Sequence, residues 1–311
     1  MATLAGGATI NVTGATTQQL QTISNVLQSV VPAGSTPTNA TVGTTAPVVT
    51  APISNGSVLL GQATYTTVST ATVTKSAGAS NDLSIVNLAG TNSTTSGTLT
   101  NLIVDSSLNQ VFVQGTGNGN VSALFVGASP SNKLIVGDAG NQFVVGSSLT
   151  GSSTIIAGDG NDSVIGGTGS DSISANGNAI LNGGAGNDVI TGGAGFATLG
   201  GGAGNDTITA GSGGAIIIGE AGNDSLVAGA GKDVFIFTPG GGNDTVSGFN
   251  PTQDTLAFGT TNFGGNAQLN LVSLISSAQV TGGNTVLTLP DGSTITVVGQ
   301  TGINVNWFTP K

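Results

Sequence analysis

The chain has 311 residues, of which only 6% are charged and 53 are glycine, and its formal net charge is −10. This acidity excludes the cationic surface that nucleic-acid binding needs, so we predict no nucleic-acid partner. The sequence has no Cys and no His, which excludes disulfides, structural zinc sites, thiol nucleophiles and imidazole bases. Abundant Val, Ile and Leu, with Ser, Thr and Asn as the polar residues, predict an all-β fold of short strands and turns.

Residues 1–58 are predicted to form one short helix and an extended connector. The segment Thr17–Val31 carries apolar residues at helical spacing and is followed by Pro32, which ends the helix. Residues 32–58 are rich in Pro and Thr and have two interpretations: a flexible tether, or an extended segment that pairs with another strand, for example one of a neighbouring subunit. The N-terminus lacks the basic and apolar regions of a secretory signal. No segment has the roughly 18 apolar residues of a membrane span, so we predict no membrane insertion.

Residues 59–156 are predicted to be β-rich. Short apolar runs alternate with Gly, Asn and Ser turns, a pattern typical of either a sandwich or a solenoid. Five of these runs begin at Leu102, Val111, Leu124, Leu134 and Phe143. Periodicity alone leaves both architectures open.

Residues 157–245 are strictly periodic. A large apolar residue recurs every nine residues, with one step of eight, at Val164, Ile173, Leu181, Ile190, Leu199, Ile208, Ile217, Leu226 and Phe235. Glycine-rich hexads such as GGAGND precede many of them and end at Asp162, Asp171, Asp188, Asp206, Asp224 and Asp233. Glycine permits tight turns and close backbone approach, and each Asp directs an anionic oxygen into the groove between stacked turns, where backbone carbonyls also face. Oxygen ligands in tolerant geometry suit calcium better than magnesium.

The hexads divide the aspartates between two edges. Alternate repeats replace Asp by Ala179, Ala197 and Ala215. Two nonapeptides make one coil, so consecutive nonapeptides lie on opposite edges of the stacked coils. Asp171, Asp188, Asp206 and Asp224 therefore fall on one edge, and Asp244 extends that row after a longer step. The other edge keeps only Asp162 and Asp233. We therefore predict about three to five calcium ions along one edge and a metal-poor opposite edge, while Asp159 remains open between a further ligand and a solvated turn residue.

These repeats resemble the RTX, or hemolysin-type calcium-binding, family, whose motif is GGxGxD followed by a large apolar residue. The resemblance covers residues 157–245 and implies a parallel β-roll (a solenoid) with calcium in its turns. Besides the aspartates, the predicted metal site contains the glycine at the fourth position of each main hexad, namely Gly169, Gly186, Gly204 and Gly222. The family also implies export by type I secretion machinery. Residues 246–311 are predicted to form a β cap carrying the secretion signal, with a hairpin turn at Asp291-Gly292.

No catalytic domain is evident in the sequence. Residues 1–150 contain only Asp82, Asp105 and Asp138 as carboxylates, all in turn-like contexts, so we predict that the chain is not an enzyme. Its low-charge composition is similar to that of bacterial surface-layer and matrix proteins. We expect a secreted, extracellular or cell-surface structural protein that forms homo-oligomers or polymers. The alternative is a calcium-dependent adhesin module for a carbohydrate, a host surface or ice.

Overall fold

The computed structural model describes residues 150–259 and 269–308 in full. Of the residues before 150, it describes the backbone of twelve strands. The chain divides into two compact units, residues 1–168 with 174–177, and residues 169–173 with 178–311. The strands up to residue 168 are β1 Ala2–Thr3, β2 Thr9–Ile10, β3 Pro37–Val42, β4 Val48–Thr50, β5 Val58–Ala63, β6 Thr70–Thr74, β7 Leu83–Leu88, β8 Leu99–Asp105, β9 Gln110–Gly115, β10 Asn120–Val126, β11 Lys133–Val136, β12 Gln142–Val145, β13 Ser153–Ile156 and β14 Asn161–Gly167.

The remaining elements are strands and two short helical segments. The strands are β15 Ser172–Ser174, β16 Asn178–Ala185, β17 Val189–Thr191, β18 Ala197–Ala203, β19 Thr207–Thr209, β20 Ala215–Ala221, β21 Ser225–Val227, β22 Asp233–Phe237, β23 Asn243–Ser247, β24 Thr255–Phe258, β25 Gln279–Thr281, β26 Asn284–Thr288 and β27 Thr294–Val297. The helical segments are the α-helix α1, Leu271–Ser277, and a 3₁₀ turn, Val305–Phe308. No helix of the described residues is long and apolar enough to span a membrane.

In the first unit, β1 and β2 pair antiparallel with each other. From β3 onward, strands pair in parallel with the strand two places later in the chain, as in β8–β10–β12–β14 and β9–β11–β13. This is the pairing of a solenoid, since sandwiches join antiparallel neighbours. Each of the five apolar runs predicted between residues 102 and 145 lies within a strand. The strands β3 and β4 fall in the predicted connector and pair in parallel with β5 and β6. The predicted helix Thr17–Val31 lies outside the described residues.

The second unit winds through two sheets in alternation. One sheet has the order β16-β18-β20-β22-β24, and the other has the order β17-β19-β21-β23-β27-β26-β25. All pairings are parallel except those of β25, β26 and β27 among themselves. One strand from each sheet makes one coil, and successive coils are about 4.8 Å apart. The all-β parallel solenoid predicted from the nonapeptide is thus confirmed.

The core consists of the residues that recur every nine positions. Leu181, Leu199 and Ile217 occupy one register row of the first sheet, and Ile190, Ile208 and Leu226 occupy the matching row of the second. Each of the six is at most 1% exposed. Every strand therefore contributes its central residue to one narrow aliphatic column, and polar neighbours face outward.

Glycine is required where the coils stack most closely. A Cβ on Gly204 or Gly222 would collide with the carbonyl oxygen of the equivalent glycine in the preceding coil, Gly186 or Gly204, and both residues have positive φ, 136° and 147°. Any larger residue would push the coils apart or strain the backbone.

The C-terminal segment closes the roll. The strands β26 and β27 form a hairpin around Asp291-Gly292, as predicted, and Gly292 has a φ of 89°. The helix α1 was not expected; Asn270 caps it by accepting hydrogen bonds from the N–H groups of Val272 and Ser273. Trp307 is 1% exposed, and its ring centroid lies 5.1 Å from that of Phe249, which ends the aliphatic column with aromatic rings.

The core column predicts a contrast between adjacent residues. Replacing the buried Ile190 by Ala should lower the free energy of unfolding in calcium by about 2–5 kcal/mol because it leaves a cavity. Replacing Val189, which is 49% exposed, should change it by less than about 0.5 kcal/mol. Urea unfolding followed by circular dichroism measures both, and equal effects would contradict the assignment of inward and outward faces.

Candidate metal site

Five aspartates form a single row along one edge of the second unit. Each follows a glycine-rich turn, and each lies directly before a short strand of the second sheet except Asp244, which is the second residue of β23. We call this row the aspartate edge: Asp171, Asp188, Asp206, Asp224 and Asp244. All five are between 1% and 5% exposed. Burying carboxylates is costly unless they are paired or bind a cation, so their environment determines the chemistry of this edge.

One oxygen of each of the last four carboxylates takes part in a ladder between coils. Asp188 Oδ1 accepts a hydrogen bond from the Asp171 N–H at 2.7 Å, and Asp206 Oδ1 accepts one from the Asp188 N–H at 2.8 Å. Asp224 and Asp244 continue the series at 2.8 and 3.0 Å. Each aspartate side chain therefore reaches back and fixes the backbone of the preceding coil.

A second ladder of amides runs beside the first in the opposite direction. The N–H of Asn205 donates to Asn187 Oδ1, and that of Asn223 donates to Asn205 Oδ1, each at 2.8 Å. The Asn243 N–H continues it to Asn223, also at 2.8 Å. These amides are exposed at the outer rim of the turns. The two ladders together hold the turns in register and leave the inner carboxylate oxygens available.

The second carboxylate oxygens point into the turns. Oδ2 of Asp188, Asp206 and Asp224 is buried and has no hydrogen-bond partner. Each lies where a side chain on the first glycine of its hexad would be, at Gly183, Gly201 and Gly219. These glycines leave room inside the edge that any Cβ would fill.

Carbonyl oxygens face the same spaces. A Cβ on Gly201 would lie 2.7 Å from the Gly219 carbonyl oxygen, and it would also collide with Asp206 Oδ2. Around Gly241 the corresponding distances are 3.2 Å to the Glu220 carbonyl oxygen, 3.2 Å to that of Thr238 and 3.6 Å to Asp244 Oδ2. We call these two spaces the Gly201 cradle and the Gly241 cradle. Each gathers carboxylate and carbonyl oxygens, the ligands that calcium prefers.

Burial shifts the acidity of this row. Burial raises the pKa of Asp188 and Asp224 to about 6 and that of Asp244 to about 7, although the backbone hydrogen bonds of the ladder lower it in each case. The neighbouring carboxylates raise it further. Burial also raises the pKa of Asp206. The row therefore resists ionisation until a cation supplies the missing positive charge.

No three Asp or Glu side chains converge on one point among the described residues. A cation at this edge would be held by one or two carboxylates together with backbone carbonyl oxygens. That donor set fits calcium, which accepts six to eight oxygens in flexible geometry, and it is unsuitable for metals that prefer nitrogen or sulfur.

The opposite edge is built from the same turns without the carboxylates. Ala179, Ala197 and Ala215 are aligned in register with Asp233, and the three alanines are at most 6% exposed. We call this row the alanine edge. Within the described part of the second unit, only the last two coils of this row are acidic: Asp254 Oδ1 accepts a hydrogen bond from the Asp233 N–H at 3.0 Å. Burial raises the pKa of Asp233 to about 6, with the neighbouring Asp254 as a further contribution.

The structure places the other predicted residues as follows. Asp162 is buried in β14, within the first unit, and Asp159 is half-buried in the turn before it. The glycines at the fourth position of the hexads stack on one another: a Cβ on Gly186 would meet the carbonyl of Gly169. Gly204 and Gly222 are related in the same way to the equivalent glycine of the preceding coil.

Sequence reasoning missed two acidic residues. Asp254 lies two residues before the buried Leu256, as the repeat requires. It is 21 residues after Asp233, whereas the regular repeat places equivalent residues 18 apart, so the period does not predict it. Glu220 was passed over as a variant of the second glycine in GEAGND. Its signal was available, because it is the single Glu in the sequence.

A parallel β-roll with oxygen cradles along its edge defines the class of this protein as a calcium-binding solenoid. The family comparison agrees: four copies of the RTX calcium-binding nonapeptide repeat match at residues 136–173, 173–208, 200–235 and 209–246. Residues 136–246 are therefore an RTX repeat region, and repeats of this family bind calcium. Proteins with such repeats are typically exported by type I secretion.

Comparisons of the whole chain with curated proteins and solved structures add little information about function. No curated protein matches it. Among solved structures, it is similar to the extracellular lipase LipA from Serratia marcescens, with 15% identity and a TM-score of 0.31. The match covers 82% of this chain and 66% of the lipase, just under two thirds of that protein's length. This likeness is too remote to support an argument about activity.

The aspartate edge predicts opposite effects of one substitution in the presence and absence of calcium. In Asp206→Asn the amide oxygen can still accept from the Asp188 N–H, but the charge is lost. We expect fewer bound calcium ions and a higher melting temperature in chelator, because a neutral group replaces a buried carboxylate. Calorimetric titration and thermal melts measure these. Asn205→Ser, on the neighbouring amide ladder, should leave the calcium titration unchanged; a wild-type titration for Asp206→Asn would contradict the site.

The raised pKa values predict how the calcium-free roll responds to pH. The folded state holds protons on Asp188, Asp224 and Asp244 up to about pH 6–7, whereas the unfolded chain releases them near pH 4. The folded state therefore binds more protons in this window, and its stability falls as pH rises from about 4 to 7. In saturating calcium the trend should reverse, because protons then displace the ion. Urea unfolding across pH tests this; a pH-independent calcium-free roll would count against the buried row.

Proposed function

We propose that this chain is a secreted calcium-binding structural protein that folds after export and self-assembles into an extracellular surface layer, matrix or filament. The observation that carries the proposal is the aspartate edge, whose buried Oδ2 atoms at Asp188, Asp206 and Asp224 have no protein partner. A cation is the group that completes such an edge.

Calcium binding at this edge is coupled to folding. Without cations, stacked carboxylates lose solvation and repel one another between coils about 4.8 Å apart. The cradles do not exist in the unfolded chain, so the free energy of calcium binding adds directly to the stability of the roll. Calcium concentration then sets what fraction of the chain is folded.

This coupling suits export by type I secretion. Inside a cell, free calcium is too scarce to fill sites of extracellular affinity, which lie at about 10⁻⁴–10⁻³ M. The chain stays unfolded while it passes through the secretion machinery and winds into coils outside. An unfolded chain is the easier substrate for a narrow export channel.

The outer face of the β16-β18-β20-β22-β24 sheet supports assembly. One register row on it consists of Ile180, Thr198, Ile216 and Val234, and the neighbouring turn exposes half of Phe196. No charged residue interrupts this row. Ile180 and Phe196 are exposed, whereas Thr198, Ile216 and Val234 are half-buried. Exposed apolar side chains on a regular face favour association between copies, and repeated contacts of this kind build fibres or layers.

A catalytic role has little to support it. The carboxylates of residues 169–308 have structural positions at the two edges or in turns. Partial burial raises the pKa of Asp291, but hydrogen bonds from the Gly240 and Ser293 N–H groups outweigh it and lower the pKa. Glu220 is the one carboxylate of this range that belongs neither to an edge row nor to the hairpin turn at Asp291, and a single exposed carboxylate is a poor basis for catalysis. We therefore propose that the chain is not an enzyme.

An adhesin module is the second candidate function. The outer face of the other sheet carries a register row of hydroxyls, Thr207, Ser225, Thr245 and Thr296. A regular, uncharged hydroxyl row at strand spacing is suited to a repetitive polar surface such as a glycan or ice. This observation favours the adhesin over an enzyme, but it identifies no ligand.

Refolding experiments distinguish these functions. The full chain, diluted from urea into millimolar calcium, should gain β-sheet circular dichroism and then form filaments or sheets visible by negative-stain microscopy. Magnesium at the same concentration should support neither, because its strict octahedral geometry fits the cradles poorly. A calcium-folded monomer that binds glycan arrays or shapes ice crystals would favour the adhesin. A spectrum indifferent to calcium and chelator would overturn the proposal.

A further inference from the structure

Glu220 departs from the repeat in both residue type and backbone. It is paired in register with Gly202, which in turn pairs with Gly184. Its φ is 72°, and it is the one non-glycine residue with positive φ among those the structure describes. Side chains are disfavoured in this conformation. Such outliers persist where the surrounding structure over-determines them, often at functional sites.

The equivalent glycines show how unfavourable this position is. Gly184 and Gly202 have φ values of 109° and 108°, and a Cβ on Gly202 would collide with the carbonyl oxygen of Gly184. At Glu220 the backbone has changed its φ to hold a side chain. Packing does not explain the change, because Glu220 is exposed.

The Glu220 carboxylate lies over the preceding coil. Its Oε1 is 3.7 Å from the position of a Cβ on Gly200, and the Asn182 amide nitrogen is 3.0 Å from the same position. Its charge is close enough to raise the pKa of both Asp206 and Asp224. Glu220 therefore adds a negative charge to the part of the aspartate edge between these two residues.

Glu220 is also next to both cradles. Its neighbour Gly219 directs a carbonyl oxygen to the Gly201 cradle, where Asp206 Oδ2 is buried without a partner. The backbone carbonyl oxygen of Glu220 itself faces the Gly241 cradle. The side-chain carboxylate thus lies over Gly200, the residue next to the first cradle, and the backbone carbonyl oxygen faces the second cradle. Removing the side-chain charge should affect the first cradle and leave the second largely unchanged.

We propose that Glu220 makes the Gly201 cradle the tightest calcium site on the aspartate edge, so that this site is the first to fill. The carboxylate acts through its charge and not as a third carboxylate ligand, since no three carboxylates converge on one point among the described residues. Calcium affinity in oxygen sites rises with the number of negative charges around the ion. The inference rests on calcium binding by this edge and not on the proposed assembly.

A first-filled site in the middle of the row gives folding a starting point. The Gly201 cradle joins the coil that contains Asp206 to the coil that contains Asp224. Calcium bound there would fix these two coils before the others and provide a template on which neighbouring coils stack. Repeat proteins can nucleate at any unit, so an internal difference in affinity selects which unit comes first.

Two variants separate charge from backbone strain. Glu220→Gln keeps the left-handed backbone and removes the charge, whereas Glu220→Gly removes the charge and restores the glycine of the repeat. Both should weaken the tightest calcium site by about ten-fold, the scale expected for one charge near a divalent ion in a largely aqueous setting. Both should raise the melting temperature in chelator by removing like-charge repulsion, and Glu220→Gly should raise it more, because it also relieves the strain. Calcium titration calorimetry, terbium luminescence and thermal melts of the full chain provide the readouts.

Asp105→Asn is the charge-matched control, because it changes the formal net charge equally and lies outside residues 169–308. Its tightest calcium site should match that of the wild type. The proposal is overturned if Glu220→Gln titrates like the wild type, if Glu220→Gly binds the first calcium more tightly, or if the control weakens the site equally. In each of these cases, calcium binding by the wild type would still support the aspartate edge as the metal site. If the wild type bound no calcium, both that site and the role of Glu220 would be overturned.

Discussion

The burial of a column of like charges is the constraint on which the rest of the structure depends. Asp188, Asp206 and Asp224 of the aspartate edge each use Oδ1 to hold the backbone of the preceding coil and turn Oδ2 inward, away from water. The first oxygen sets the register of the coils. The second creates a demand for positive charge that no side chain in the row can meet, because the described part of this edge contains no cation. One residue type thus makes the winding of the backbone dependent on an external ion.

The glycines follow from this arrangement. An inward carboxylate needs space inside the turn, and Gly183, Gly201 and Gly219 provide it by having no Cβ. Close stacking of the turns brings carbonyl oxygens near the carboxylates, which requires Gly186, Gly204 and Gly222 at the points of contact. Each hexad therefore reserves one glycine for the carboxylate and another for the neighbouring coil. The composition of the repeat is explained by two steric needs and one electrostatic need.

The sequence predicted the features that depend on spacing. A nine-residue period places Leu199 inside and Asp206 at an edge, and two periods per coil align Asp188, Asp206 and Asp224. Features that depend on irregular steps or on backbone geometry were out of reach. The loop before Asp254 breaks the period, and α1 is too short for its pattern to stand out. The direction of the hydrogen-bond ladders and the left-handed φ of Glu220 follow from how neighbouring coils meet, which spacing does not encode.

The two edges of the second unit provide an internal comparison of what the carboxylates do. On the alanine edge, the N–H groups of Ala179 and Ala197 donate to the carbonyl oxygens of Phe196 and Gly214 in the next coil, at 3.1 and 3.2 Å. Those turns close with a buried methyl group and no carboxylate, so the coil itself does not need Asp. An asparagine could serve the ladder equally well, because it offers the same Oδ1 acceptor. What Asp alone adds is a buried negative charge, which weakens the calcium-free roll. Such a cost is consistent with a protein in which the ion, and not the chain alone, decides when folding occurs.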